Sequence, residues 1–447
     1  MKEQNSITTK QLYICFVILS ILPCCLIFSK SVWFDETYTL ALIKHNIKDM
    51  LDILNKDMHP PLYFLSLKAF CSVFGYDLVS TKVFSFAGYA LTILLGPTII
   101  KNTFSSKTAF VFMLSMGTVP MCYYFAVQQR SYSYCILFVV LSFVFAVRFL
   151  REYRLRDALL LAVFGLLASY NHIYALLACG IIFAFVNINV VFRNTKQFLK
   201  VLFADIFIIL GYLPQVTTLL SQVEGASSGF WLSGVEPLSI LIFIIGAIFS
   251  IHFLIRYRNH EIVFAIVVIM SLQIIGLIIT VFVRPLYIAR YSVVVLGIFV
   301  LLVAMIFHTK LKRCFCLLLC VLNIACLTLT CAFEYDSSLV NFVERFDKQI
   351  QPTDTILYLD SSFGIVSYYF PENAHICTYR ENWFDAFDNV SSISKNEVKQ
   401  VINKPSWLIK NVNKELPEYI TNNFNVKQTD MFRSDFNKFN VYKIEPK

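Results

Sequence analysis

The sequence predicts a polytopic all-α membrane protein of about eleven transmembrane helices, followed by a C-terminal extracytoplasmic α/β domain. The first observation is compositional: 57% of the 447 residues are hydrophobic and only 15% are charged, against about 25% charged in soluble domains. The second is the recurrence of apolar stretches near the roughly 20 residues that cross a bilayer. They lie at 11–29, 79–100, 108–126, 131–150, 158–170, 173–192, 199–219, 237–255, 262–282, 290–308 and 314–332. The third is a change of character at Phe333. Residues 333–447 carry 16 acidic and 13 basic side chains, whereas the residues before them carry 13 and 25. This divides the chain into a membrane domain, 1–332, with its first outer loop at 30–78, and a C-terminal domain, 333–447.

The excess positive charge sits between apolar segments, which argues against a nucleic-acid partner. Lys101 and Lys107; Arg148, Arg151, Arg154 and Arg156; Arg193, Lys196 and Lys200; Arg256 and Arg258; and Lys310, Lys312 and Arg313 fill alternate connections. Short cytoplasmic loops collect Lys and Arg. The N-terminus is therefore expected in the cytoplasm, and eleven crossings of the cytoplasmic membrane put the C-terminal domain outside, with loop 30–78. Residues 11–29 are apolar for longer than a signal-peptide core and no convincing small-x-small site follows, so they read as the first span. Most of the 13 cysteines fall in or beside apolar spans and read as small hydrophobes. Cys314-x-Cys316 has no nearby His or second Cys pair to complete a metal site.

In the first outer loop, Leu40, Ile43, Ile47, Met50, Leu51 and Leu54 recur at helical spacing opposite Lys44, Lys48, Asp52 and Lys56. This predicts one amphipathic helix over 36–56 lying on the membrane. Pro60-Pro61 then opens a second short interfacial helix, 62–74. In the tail, 354–360, 374–379, 407–410 and 439–444 read as strands and 365–370 as a helix. Gly364 is the only glycine after Gly297, so a glycine-rich phosphate loop is absent and a nucleotide-binding Rossmann site is not expected.

Chemistry-bearing residues concentrate in 31–64. Carboxylates cost about 2.5–3.5 kcal/mol each at mid-membrane, so Asp35-Glu36 and the Asp57/His59 pair belong at a water-filled surface. Asp35 is either a helix N-cap or a catalytic carboxylate. Asp57 with His59 suits a metal or a hydrogen-bond relay, or a turn before the prolines. Arg130, at the outer end of a span, is a fork donor for a lipid phosphate or an interfacial snorkelling side chain. Arg290 reads the same way, Arg284 less so. Tyr132, His172 and Lys82 complete the substrate-facing candidates, with snorkelling the plain alternative for Lys82. Tyr174, Trp33 and Trp231 are interface anchors or, for the tryptophans, sugar-stacking rings.

In chain order, Asp35-Glu36, His59-Pro60-Pro61-Leu62-Tyr63, Gln128-Gln129-Arg130-Ser131-Tyr132, Asn171-His172-Ile173-Tyr174, Tyr212-Leu213-Pro214 and Arg284-Pro285…Arg290-Tyr291 resemble the lipid-dependent glycosyltransferases of the GT-C fold. The likeness is to bacterial family 39 and the aminoarabinose-transferase-like group, relatives of the protein O-mannosyltransferases. It covers residues 31 to about 310 and is poorest in the tail. The resemblance implies a polyprenyl-phosphate sugar donor, Asp35 as general base, and Glu36 as its orienting partner or a ligand to a divalent metal ion, with Asp57 and His59 as further metal candidates. The loop's placement agrees independently: nucleotide sugars are cytoplasmic, so a donor used outside must be delivered by the membrane.

The expected reaction is inverting transfer of a hexosyl or pentosyl group to a glycolipid, polysaccharide or other envelope glycan. A protein O-glycosyltransferase is one alternative, and a lipid-linked sugar transporter or flippase is another. A transporter is expected to show internal repeats and mid-span polar residues; the sequence shows no repeat, and its ionisable residues cluster in the outer loops.

Overall fold

The computed structural model describes residues 7–57, 59–225, 234–257, 259–283, 287–310, 312–360, 362–379, 382–434 and 437–447. The chain divides into two compact units. The membrane unit comprises Met1–Ile27, Met58–Ser66 and Val79–Thr330; the loop–tail unit comprises Phe28–Asp57, Leu67–Leu78 and Cys331–Lys447.

Each of the eleven predicted spans falls on a helix, but not all are simple crossings. Among the described residues, nine helices are long and apolar enough to cross a membrane. The predicted span 108–126 is a bent pair, Ser106–Met116 and Pro120–Val127, turned by 71°. Proline disfavours helical backbone in the residue before it, and Val119 is extended. Asn323 answers the broken ladder: its amide donates to Leu114 O at 2.7 Å and its Oδ1 accepts from the Tyr123 hydroxyl at 2.9 Å. The predicted span 158–170 is helix Leu155–Ser169, 15 residues or about 22 Å long, short of a hydrocarbon core of about 30 Å.

Helix Tyr132–Glu152 lies at the centre of the membrane unit, with Val139, Val140, Phe143 and Val144 fully buried. Without a hydrophobic drive between helices in lipid, close approach comes from small residues. A Cβ on Gly297 would meet Val140 at 2.3 Å, and one on Gly88 would meet Ser133 at 2.7 Å. By contrast, Ile248, Phe249 and Ile255 of helix Pro237–Arg256 are exposed, as lipid-facing side chains are.

The loop–tail unit is built on a six-stranded sheet: β1 (Thr355–Tyr358), β2 (Ala374–Cys377), β3 (Val390–Ser392), β4 (Ser406–Asn411), β5 (Phe424–Ser434) and β6 (Asn437–Pro446). Their order is β3-β2-β1-β4-β6-β5: the first four are parallel, β6 runs antiparallel to β4, and β5 pairs antiparallel with β6. Leu357, Ile376, Leu408, Phe424 and Ile444 form one core layer. The four predicted strands are present; β3 and β5 are additions.

The predicted single helix over 36–56 is instead two, Phe34–Leu42 and Ile47–Lys56. Asn46 stops the run: its side chain accepts from the Asp49 N–H at 3.0 Å and caps a new helix. Much of the apolar face packs on protein rather than standing open for a membrane surface. Met50, Ile53 and Leu54 are buried in protein, and Lys56 pairs with Asp385 at 2.9 Å.

Candidate functional site

In the membrane unit, Arg130 occupies the turn between helices Pro120–Val127 and Tyr132–Glu152. The turn is tight, with the Arg130 N–H bonded to Gln128 O at 2.7 Å. The Gln129 amide donates to Thr81 Oγ1 at 3.2 Å, next to Lys82, which is fully buried. Arg130 is 6% exposed, and its Nη2 donates to His59 Nε2. A guanidinium can only donate, so His59 Nε2 is the acceptor there. Tyr63, from the same motif as His59, shares a hydrogen bond with Ser85 at 2.7 Å.

His172 closes the turn before helix Ile173–Arg193. Its Nδ1 accepts the Tyr174 N–H at 3.1 Å, which caps the helix and leaves the ring proton on Nε2. Burial foremost, then the nearby His59, Arg130 and Arg290, pushes its pKa down, so the ring is neutral. Aromatic rings surround it: Tyr132 at 5.6 Å, Tyr291 at 5.4 Å and Tyr174 at 6.0 Å between centroids. Tyr291 stacks on Tyr174 at 4.7 Å. The Arg290 guanidinium lies over the Tyr132 ring, 6.0 Å from its centroid. Sequence reading missed Glu236, whose carboxylate accepts from Ser239 Oγ at 2.8 Å and from the Ala289 N–H at 2.6 Å, anchoring the residue before Arg290. Two arginines and two imidazoles thus lie together within aromatic walls.

In the loop–tail unit, helix Phe34–Leu42 begins after Trp33, and Glu36 is its cap. Glu36 Oε2 accepts the Trp33 N–H at 3.1 Å, and the residue is 4% exposed. Asp35 therefore is not the N-cap; it sits half-buried in the first turn, where the helix dipole favours an anion. Burial first, then the Glu36 charge, pushes the Tyr368 hydroxyl pKa up; Tyr369 is raised by burial, Tyr368 and Glu36. Asp57 ends helix Ile47–Lys56, its N–H bonded to Ile53 O and Leu54 O.

Among the described residues, no group of three or more His, Cys, Asp and Glu side chains is placed to hold a metal ion. The metal set left open at Glu36, Asp57 and His59 meets a physical obstacle at two members. The Glu36 carboxylate caps a helix and His59 Nε2 faces a guanidinium. Arg284 and Trp231 lie outside the described residues.

Residues 58–213 match the family model described as dolichyl-phosphate-mannose-protein mannosyltransferase. Two crystal structures of ArnT from Cupriavidus metallidurans are similar over nearly the whole chain. The apo form gives a TM-score of 0.68 at 9% identity, covering 96% of this chain and 97% of that one. The form bound to undecaprenyl phosphate gives 0.67 at 9% identity, covering 98% of each. The chain has the GT-C fold. No curated protein matches it by sequence. The GT-C likeness extends through the C-terminal sheet, the region where the sequence motifs are poorest. The nine apolar helices among the described residues that are long enough to cross a bilayer make the chain a multi-pass membrane protein, and the fold agrees with the resemblance to lipid-dependent glycosyltransferases drawn from the six motifs.

Proposed function

We propose that this protein is a polyprenyl-phosphate-dependent membrane glycosyltransferase acting on an acceptor outside the cytoplasmic membrane. The observation that carries the reading is the Arg130–His59–His172–Arg290 group within its aromatic walls. A second support is the undecaprenyl phosphate in one of the similar ArnT structures. Asp35 takes the proton from the acceptor hydroxyl as its oxygen attacks the anomeric carbon from the side opposite the carrier. The bond from that carbon to the phosphate oxygen breaks with inversion, and the carrier phosphate leaves as an anion received by Arg130 and Arg290. The transferred group is a hexosyl or pentosyl unit, and the acceptor is a glycolipid, polysaccharide or other envelope glycan. A protein acceptor is the second reading, favoured by the description of the family model that residues 58–213 match.

Binding tests the phosphate assignment. Purified protein should bind undecaprenyl phosphate, and Arg130→Ala or Arg290→Ala should weaken that binding without unfolding the chain. Unchanged affinity in both variants removes the assignment. Topology tests the placement outside: the basic loops put the N-terminus in the cytoplasm and the C-terminal domain across the membrane. A reporter active only outside the cytoplasm, fused after Lys447, should be active; activity of a cytoplasm-only reporter there would undo the donor class.

A further inference from the structure

We infer that the C-terminal domain is a positioning device for the first-loop carboxylates, with Gly364 as the seat of Phe34. The inference rests on Asp35 being the base. Three residues ahead of helix Phe34–Leu42 are tied to residues 300 or more positions later. Ser29 Oγ donates to Glu334 Oε2 at 2.8 Å, Tyr369 Oη to Lys30 O at 3.0 Å, and Ser434 Oγ to Val32 O at 3.0 Å. Phe34, the residue before Asp35, then packs against Phe363 and Phe387, with ring centroids 6.0 and 6.4 Å away. The far end is tied as well, by His45 Nε2 to Ala386 O at 3.0 Å and by the Lys56–Asp385 pair.

The closest of these contacts explains the only glycine in the tail. Gly364 does not have a positive φ, so backbone freedom is not the reason it is glycine. A Cβ there would sit 2.5 Å from Phe34 Cε2, 2.7 Å from Cδ2 and 3.2 Å from the Phe387 ring. Ordinary contact begins near 3.4 Å, so a methyl group must push the Phe34 ring by about 1 Å, with Phe363 and Phe387 closing its sides. Phe34 is bonded to Asp35, and a displacement of that size at a reacting group can cost about 10²-fold in rate.

The experiment is a bump and its relief in the full-length protein, with a donor the wild type turns over. Gly364→Ala should lower kcat about 10- to 100-fold while the donor KM and the melting temperature stay near wild type. Gly364→Ala with Phe34→Leu, which trades the ring for a smaller side chain, should restore kcat to within about threefold of wild type. A purely structural role would lower the melting temperature or raise KM and leave kcat alone. Normal kcat in folded Gly364→Ala, or no recovery in the folded double variant, overturns the inference. If Gly364→Ala does not fold, Tyr369→Phe serves: it deletes the hydroxyl on Lys30 O and should lower kcat about threefold or more at constant KM, and an unchanged kcat overturns the inference. Asp35→Asn separates the two claims. If it transfers normally, the base assignment falls; if it is silent while Gly364→Ala is normal, only the positioning role falls.

Discussion

The loop–tail unit and the membrane unit hold charged side chains in opposite ways. In the first, the carboxylates of Asp35 and Glu36 sit on the opening turn of a short helix, stabilised by backbone N–H groups and the helix dipole. That helix is fixed by long-range hydrogen bonds and a close aromatic seat. In the second, the cations Arg130 and Lys82 and the neutral ring of His172 are buried to 7% exposure or less. They are held by rings, a helix cap and a second imidazole. A buried cation is costly unless it is matched. On the proposed reading, the anionic chemistry lies on a packed scaffold and the cationic chemistry inside a bundle.

The two halves should therefore break differently. Asp35→Asn keeps the volume of the side chain and leaves Glu36 to cap the helix. It should lower turnover about 10²- to 10⁴-fold, with carrier-lipid binding unchanged; a loss in binding with turnover intact would merge the two regions. Stability of the loop–tail unit should respond to acid through His375. Its Nδ1 accepts from the Tyr358 hydroxyl at 2.7 Å and its Nε2 donates to Phe370 O at 2.8 Å. Burial pushes its pKa down to about 4. Below the ordinary value near 6.5 the unfolded chain binds the proton and the folded one does not, so stability falls as pH drops from about 6.5 towards 4. The loss is at most about 3 kcal/mol. Thermal unfolding of the full chain between pH 7 and 4.5 should show it, and His375→Gln should flatten the slope; equal slopes would reject it.

In the membrane unit, Arg130→Ala should weaken carrier-phosphate binding about 10- to 100-fold, the worth of a hydrogen bond to a charged group. Arg130→Lys should recover only part, since lysine lacks the planar fork. Titration with undecaprenyl phosphate decides it, and full recovery by lysine would reduce Arg130 to a point charge. The smallest effect is expected at the bend. Asn323→Leu leaves Leu114 O and the Tyr123 hydroxyl unsatisfied. It should cost about 1–3 kcal/mol of stability with binding and turnover per folded molecule retained. Loss of turnover in the folded variant would tie the bend to the chemistry.

The spans were legible because a bilayer imposes one simple requirement, a long apolar run. The bend at residues 117–119 was not, because Gly117 and Pro120 sit in a run that stays apolar. Four strands were legible from alternation and β-branched residues. Strand β5 was not: Asn425-Val426-Lys427-Gln428-Thr429-Asp430 is polar, as an edge strand with a register shift at Gln428/Asp430 can be. The amphipathic stripe over 36–56 reads as helical and is so, but Asn46 within it is a cap and protein covers its apolar face, and neither leaves a mark on the apolar spacing. The candidate residues of the membrane unit came from motifs, whereas Glu236 and the stacking of Tyr291 on Tyr174 required the fold. The tethers from 334, 369 and 434 to residues 29–32 left no local trace, since hydrogen bonds over such separations carry no spacing rule.

Turnover is the most direct test. Purified protein is given a panel of polyprenyl-phosphate sugars with a membrane-glycan acceptor extract, and released polyprenyl phosphate is measured for wild type and Asp35→Asn. The expected result is carrier release by the wild type from at least one donor and almost none by Asp35→Asn, which still binds that lipid. Release from no donor in the panel, or equal release by both proteins, would contradict the account.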